Sequence, residues 1–109
     1  MKEQDPNGYD SHDPGAKLDA GKNRLGLVLG EFALSLWDVG EVGTYGANKY
    51  TPRGWLHVPD GEERYMDAAL RHIFKSLGSE HTDPDTNLDH LAHAAWNILA
   101  ILELRKRKS

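Results

Sequence analysis

The run from Leu88 to Leu102 constrains this chain most. On a helical wheel, one face carries Leu88, Leu91, Ala95, Leu99 and Leu102, and the opposite face carries His90, His93 and Asn97. The leucine face predicts one layer of a helical core. The opposite face also holds Ala94, Ile101 and Leu104, so it too is expected to be covered, by a partner subunit or around a ligand. The remaining segments are expected to supply that cover as an all-α fold, a small bundle of three to four helices.

A chain of 109 residues, 39% of them hydrophobic, predicts one domain that buries a comparatively small share of its surface alone, so a homo-oligomer is expected. The absence of cysteine excludes a disulfide scaffold, a zinc ribbon and thiol chemistry, and fits a reducing cytoplasm. Residues 1–15 lack the apolar core of a signal peptide, and no run approaches the roughly 18 apolar residues of a membrane span. No membrane association is therefore expected. A net charge of −4, with the cations clustered at Arg105, Lys106, Arg107 and Lys108, argues against a nucleic-acid polymer as partner. Those cations suit the carboxyl end of a helix dipole.

Residues 1–14 hold Asp5-Pro6-Asn7-Gly8 and Asp13-Pro14, turn-forming chemistry with few apolar groups, and read as a flexible arm or extended strap. Residues 15–109 read as the single domain. Lys17, Lys22 and Arg24 put positive charge on a glycine-containing segment, open to phosphate binding or to plain solvation. It is not a Walker A loop, because Asn23 follows Lys22 where that motif needs Ser or Thr. A helix is predicted over 31–49, with Phe32, Leu36, Val39 and Gly43 recurring along one face. Asp38 and Glu41 are helical neighbours, a spacing that lets two carboxylates share a divalent cation or simply form an acidic surface. Gly40, Gly43 and Gly46 cost helix propensity, about 1 kcal/mol each relative to Ala. They predict close backbone approach by a helix or ligand.

The connection that follows carries Lys49, Tyr50, Arg53, Trp55 and His57 between Pro52 and Pro59. This aromatic and cationic set lies where binding groups often sit, and Trp55 fits either a base stack or a plug at the bundle end. A second helix is predicted over 62–77, with Met66, Leu70, Ile73 and Leu77 as its buried stripe and a left-handed Gly78 as its stop. Glu63, Asp67 and Arg71 edge that stripe, and His72 falls on another side with Tyr65. Residues 79–87 form an acidic loop in which Glu80, His81, Asp83 and Asp85 fit either metal ligation or helix capping. The final helix is predicted from Leu88 to about Arg105. His90 and His93 match neither the zinc protease motif nor an HD hydrolase pair, and from residue type alone fit satisfied interior histidines and ligands equally.

Taken together, Gly15-Ala16-Lys17, Gly21-Lys22, Arg24-Leu25, residues 42–47, Lys49-Tyr50, Gly54-Trp55, Arg64-Tyr65, Asp67-Ala68, Arg71-His72 and residues 90–97 carry a resemblance. In that order they resemble the phage-associated dATP/dGTP diphosphohydrolase N-terminal-domain family, over about residues 15–104. That family is similar to the MazG-like all-α nucleotide pyrophosphatases. The resemblance implies a helical, oligomeric enzyme dependent on Mg²⁺ or Mn²⁺ that releases pyrophosphate from a purine deoxynucleoside triphosphate. It also implies the cytoplasm of a phage-infected bacterium. MazG-like enzymes hold their metals with E-x-x-E followed by E-x-x-D on neighbouring helices. Here Asp38-x-x-Glu41 approximates the first half. The second half is either Glu63 with Asp67, at a different spacing, or Glu80-x-x-Asp83 in a loop.

What the resemblance implies for the site is metal held by Glu41, Asp67, Glu80 and Asp83, acidifying a water that attacks the α-phosphorus. Arg71, Lys49 and Lys22 are expected to neutralise phosphate charge. His72, His90 and His93 are expected to complete the metal shell or orient the water. Asn97 would read a base or sugar edge, with Trp55 stacking and Tyr50 and Arg53 beside it on the same loop. The imperfect acidic pattern keeps a second reading open, a viral nucleotide-binding protein that sequesters or senses without turnover.

Overall fold

The computed structural model describes residues 3–108. They form helices α1 (Leu25–Gly30), α2 (Ala33–Lys49), α3 (Gly61–Leu77) and α4 (His90–Lys108), with a 3-10 turn at Gly54–His57. No strand occurs among the described residues; one isolated antiparallel bridge joins Thr82 to Asp89. The fold is all-α. Two compact units divide between Glu31 and Phe32.

The N-terminal unit is organised by a residue that composition alone conceals. Asp5 is buried, and its carboxylate accepts the backbone N–H of Asn7 at 2.7 Å and of Lys17 at 2.6 Å. The Lys17 N–H, with smaller help from Asn7, holds the Asp5 carboxyl below its ordinary range despite the opposing cost of burial. Ala20 N–H donates to the Gln4 carbonyl at 2.7 Å, and Lys22 pairs with Glu3. The turns expected from Asp-Pro and Gly are present, with Gly8, Gly15 and Gly21 all at positive φ.

In the larger unit, α3 packs along α4 and α2 packs on α4. The α3–α4 pair is antiparallel, because Glu62 at the start of α3 accepts from Arg105 (2.8 Å) and Lys108 (2.6 Å) at the end of α4. His72, toward the end of α3, meets His90 at the start of α4. The helix α4 runs through the whole basic cluster to Lys108, its cations lying where the helix carbonyl ends are unpaired. It begins at His90 rather than Leu88. Asp89 caps it by accepting the Leu91 N–H at 2.8 Å, while Leu88 is held in the loop by its carbonyl bond to Asp83 N–H, 2.8 Å.

Two local expectations need correction. Gly78 caps α3 but at φ −82; the left-handed residue is Ser79, φ 76. The buried stripes also differ. On α3, Ala69 is buried and Tyr65, His72 and Ile73 are half-buried, whereas Met66, Leu70 and Leu77 are exposed. On α4, the buried residues are His90, Ala92, His93, Ala94, Asn97, Ala100 and Ile101, and Leu91, Leu99 and Leu102 face outward. Small alanines let the two backbones approach, and the buried polar side chains find partners in His72, in Glu80 and Thr86 of the loop, and in the His93 carbonyl.

The glycine expectation holds at one position. A Cβ on Gly43 would lie 3.0 Å from the Trp96 indole nitrogen, so α2 meets α4 through this glycine, while Gly40 and Gly46 have open space. Trp96 in turn receives Trp55 (5.9 Å between ring centres, 77° between planes) and Tyr65 (5.7 Å, 84°) edge-on. The Tyr65 hydroxyl donates to the Trp55 carbonyl at 2.6 Å, which fastens the 3-10 turn to α3.

Candidate functional site

At one end of the α3–α4 hairpin the loop 79–89 folds over three histidines. Its course is fixed by the backbone. His90 N–H donates to the His81 carbonyl (2.8 Å), and Asn87 N–H to the Asp83 carbonyl (2.7 Å). Asn87 adopts the left-handed conformation at φ 60, which asparagine tolerates better than most residues. These bonds deliver Glu80, Asp83 and Thr86 to the first turns of α4.

His90 is the most enclosed side chain, at 0% exposure. Its Nε2 lies 2.7 Å from a Glu80 carboxylate oxygen, and its Nδ1 lies 2.8 Å from Nδ1 of His72. A carboxylate accepts only, so Nε2 of His90 carries the proton that Glu80 receives, and in the neutral ring the Nδ1 lone pair faces His72. The His72 ring stacks on His93, 4.5 Å apart and 8° from parallel. His93 Nε2 is 2.7 Å from the Thr86 hydroxyl and 4.0 Å from an Asp83 oxygen. Asn97 is buried one turn on, donating to the His93 carbonyl at 2.8 Å.

The electrostatics favour neutral rings beside an ionised acid. Burial, then the neighbouring His93 and His90, push His72 down to about 4. Burial likewise lowers His93, against an opposing pull from Asp83. Burial raises Asp83, but the Asp85 N–H, donating at 2.8 Å, together with His93 and His90, outweighs it and holds the carboxyl below its ordinary value. Neutral imidazole and ionised carboxylate are the forms that bind a cation. One donor atom each from His72, Asp83 and His90 lies within 4.8 Å of the others, the sole such group of three among the described residues.

The other residues expected at a site are distributed as follows. Glu80 and Asp83 from the four-carboxylate set lie in the histidine cluster, as hydrogen-bond partner and as donor. Glu41 is exposed on α2 and accepts the Trp37 indole N–H at 2.8 Å; Asp67 and Arg71 are exposed on α3. Lys49 stands over the Tyr45 and Tyr50 rings at 6.0 and 5.2 Å, and Asp85 of the acidic loop adds to the raising of its pKa, which Tyr50 dominates. Arg53 precedes the 3-10 turn in the left-handed conformation, φ 64, and Trp55 is half-buried against Trp96. Lys22 belongs to the N-terminal unit, ion-paired with Glu3.

The dATP/dGTP diphosphohydrolase N-terminal family matches residues 12–109, nearly the whole chain. The chain belongs to this family. It is similar to a dATP/dGTP diphosphohydrolase of Salmonella phage PMBT28, with 34% identity over 90 residues, 83% of this chain and 29% of that protein. The chain thus spans less than a third of the length of this relative. No solved structure matches it. For this family member, the histidine cluster assembles from segments that carry the resemblance separately in sequence, Arg71-His72 and residues 90–97. The bond from Thr86 to His93 and the fastening of His90 by Glu80 leave no sequence signal, because both depend on how the loop returns.

Proposed function

We propose that this chain acts as a metal-dependent nucleotide diphosphohydrolase, or its N-terminal portion, converting a purine deoxynucleoside triphosphate and water to the monophosphate and pyrophosphate. The observation that carries this reading is the family match, with its phage relative named dATP/dGTP diphosphohydrolase. The partly buried His72–Asp83–His90 group supports it, since its donor atoms could hold a divalent cation. A divalent cation supplies charge neutralisation at the phosphates when bound. The chain's own residues do the rest. Lys49, over the Tyr50 ring, and Arg71, next to His72, are exposed and offer cationic partners for phosphate oxygens. Attack by water at the α-phosphorus breaks the bond to the bridging oxygen, and pyrophosphate leaves.

Function in a homo-oligomer is part of the proposal, supported by the exposure of Leu91, Ile98, Leu99 and Leu102 along α4 and of Met66, Leu70, Phe74 and Leu77 along α3. A phage setting is also part of the proposal, supported by the phage origin of the relative.

The test is incubation of the purified chain with each dNTP and NTP, with Mg²⁺ or Mn²⁺ and with chelator, and separation of the products by ion exchange. Monophosphate and pyrophosphate from dATP or dGTP, formed only with metal, are expected. Intact nucleotide throughout would favour the second reading, a nucleotide-binding protein without turnover. One observation speaks for that reading: Glu41 and Asp67 join no group of three donors within 4.8 Å among the described residues.

A further inference from the structure

We propose that His72, Asp83 and His90 form a binding site for a borderline first-row transition cation, Zn²⁺ or Co²⁺ in preference to Mg²⁺, with Glu80 as the positioning residue for His90. The donor set is two imidazole nitrogens and one carboxylate oxygen. Magnesium is a hard cation that demands oxygen ligands and gives up its water reluctantly, whereas imidazole suits zinc, cobalt and nickel. Donor atoms within 4.8 Å of one another can close on one cation with bonds of about 2.1 Å after small side-chain rotations.

The surroundings have the form that metal-binding histidines require. A ligating imidazole presents one nitrogen to the metal and donates its other N–H to a fixed acceptor. His90 does this with Glu80 at 2.7 Å, leaving Nδ1 as its ligand atom. Nδ1 of His72 already lies 2.8 Å from that atom, so a cation entering there replaces one hydrogen bond and needs only a tautomer change in His72. His93 is stacked flat on His72 and tethered by Thr86 at 2.7 Å, which limits rotation of the His72 ring. Asp83 is held from behind by the Asp85 N–H at 2.8 Å. Three protein donors are the number found in zinc sites that keep a position for water or substrate.

This inference deepens the proposed function by naming the cation of its site, and rests on that reading only for the use to which the cation is put. Mg²⁺ can still arrive with the triphosphate. Binding is therefore measured without nucleotide, by equilibrium dialysis of the full metal-free chain against ZnCl₂, CoCl₂ and MgCl₂. The expected result is one Zn²⁺ or Co²⁺ per chain, at least about 100-fold tighter than Mg²⁺, with visible d–d bands of Co²⁺ altered by nitrogen ligation. His72→Ala should abolish the site. Glu80→Gln should weaken it about tenfold while keeping one cation per chain, the scale expected when the acceptor behind a ligating histidine is lost. Circular dichroism on both variants separates loss of the site from loss of the fold, and Glu80, being partly exposed, is the variant expected to stay folded. Equal Zn²⁺ and Mg²⁺ affinities, or tight Zn²⁺ binding retained in folded His72→Ala, would overturn the assignment. If dNTP turnover with Mg²⁺ alone accompanied absence of Zn²⁺ binding, the function would stand and this inference would fall. Tight Zn²⁺ binding that His72→Ala abolishes, with no turnover of any nucleotide, would uphold the cation site and remove the proposed activity.

Discussion

The two faces of α4 divide their chemistry against the common pattern. Toward α3 the helix buries His90, His93 and Asn97 with Ala94 and Ala100, while outward it shows Leu91, Leu99 and Leu102, each about half exposed. A leucine face normally drives helix docking, at roughly 25 cal/mol per Å² of apolar area removed from water. Here the inner contact is made instead by small residues, Ile101, the Tyr65–Trp96 ring pair and polar groups whose hydrogen bonds are met, and no buried side-chain nitrogen or oxygen among the described residues lacks a partner. Polar groups satisfied in this way contribute little net stability but make alternatives expensive, since any shift that strands one of them costs the desolvation of that group. The inner face therefore specifies a geometry, and the outer face retains uncovered apolar surface.

The largest effect expected follows from breaking the inner face at its most enclosed point. His90→Ala removes a ring with 0% exposure, together with its bonds to Glu80 and His72. The combined loss of packing and hydrogen bonds is expected to cost about 3 kcal/mol, read as a lower midpoint in urea unfolding. Leu91→Ala, one residue away on the exposed face, is the control. A midpoint lowered as much by Leu91→Ala as by His90→Ala would show that the outer face is the one covered within the folded subunit.

A second, smaller effect concerns the outer face. If a second copy covers it, Leu99→Glu and Leu102→Glu place charges in an apolar contact, and sedimentation velocity should show a shift to the monomer with helicity kept. A wild-type chain that already sediments as a monomer at micromolar concentration would remove the homo-oligomer from the proposal. It would leave the exposed leucines without an explanation.

How far these faces can be read in the sequence follows from what periodicity measures. The recurrence of Leu88, Leu91, Leu99 and Leu102 marks a helix correctly, and the expected spans for α2, α3 and α4 agree with the observed ones to within a few residues. Periodicity says that a face is apolar. It does not say which neighbour comes to it, and the alanines Ala69, Ala94 and Ala100, which decide how closely α3 and α4 approach, add little to an apolar count. The opposite face is legible as one needing cover, because three polar groups there share it with Ile101 and Leu104. His72, His90, Glu80 and Asp83 each stand out as candidates, but their meeting depends on a twelve-residue return from Gly78 to Asp89. Its course is set by the Thr82 to Asp89 bridge and the positive φ of Ser79 and Asn87. Residues outside glycine carry weak sequence signals for that conformation. Asp5 is hidden for a similar reason, since one carboxylate among many acids shows no sign of the backbone N–H groups that will gather around it.

The smallest effect is expected on lowering the pH of the metal-free chain in the presence of chelator. His72 has a folded pKa of about 4 against an ordinary value of 6.5. Between those values the unfolded chain binds more protons than the folded one, so stability falls as pH falls from about 6.5 toward 4, and levels off below. His93 is lowered by burial in the same direction. The groups facing His72 are His93 and His90 from α4 and Asp83 from the loop, with Arg71 beside it on α3. Of these only Asp83 opposes the effect, and it stays ionised through this window because its own carboxyl is held low. The partly exposed setting of His72 means that solvent screens much of the shift, so the change in thermal midpoint should be modest. It should nevertheless shrink in His72→Gln, which keeps a polar side chain but cannot titrate. Leu99→Gln, on the other face, should leave the pH dependence as it is. An equal loss of midpoint on acidification in wild type and His72→Gln would place the pH sensitivity outside the histidine cluster, and the inner face would then be polar without being acid-sensitive.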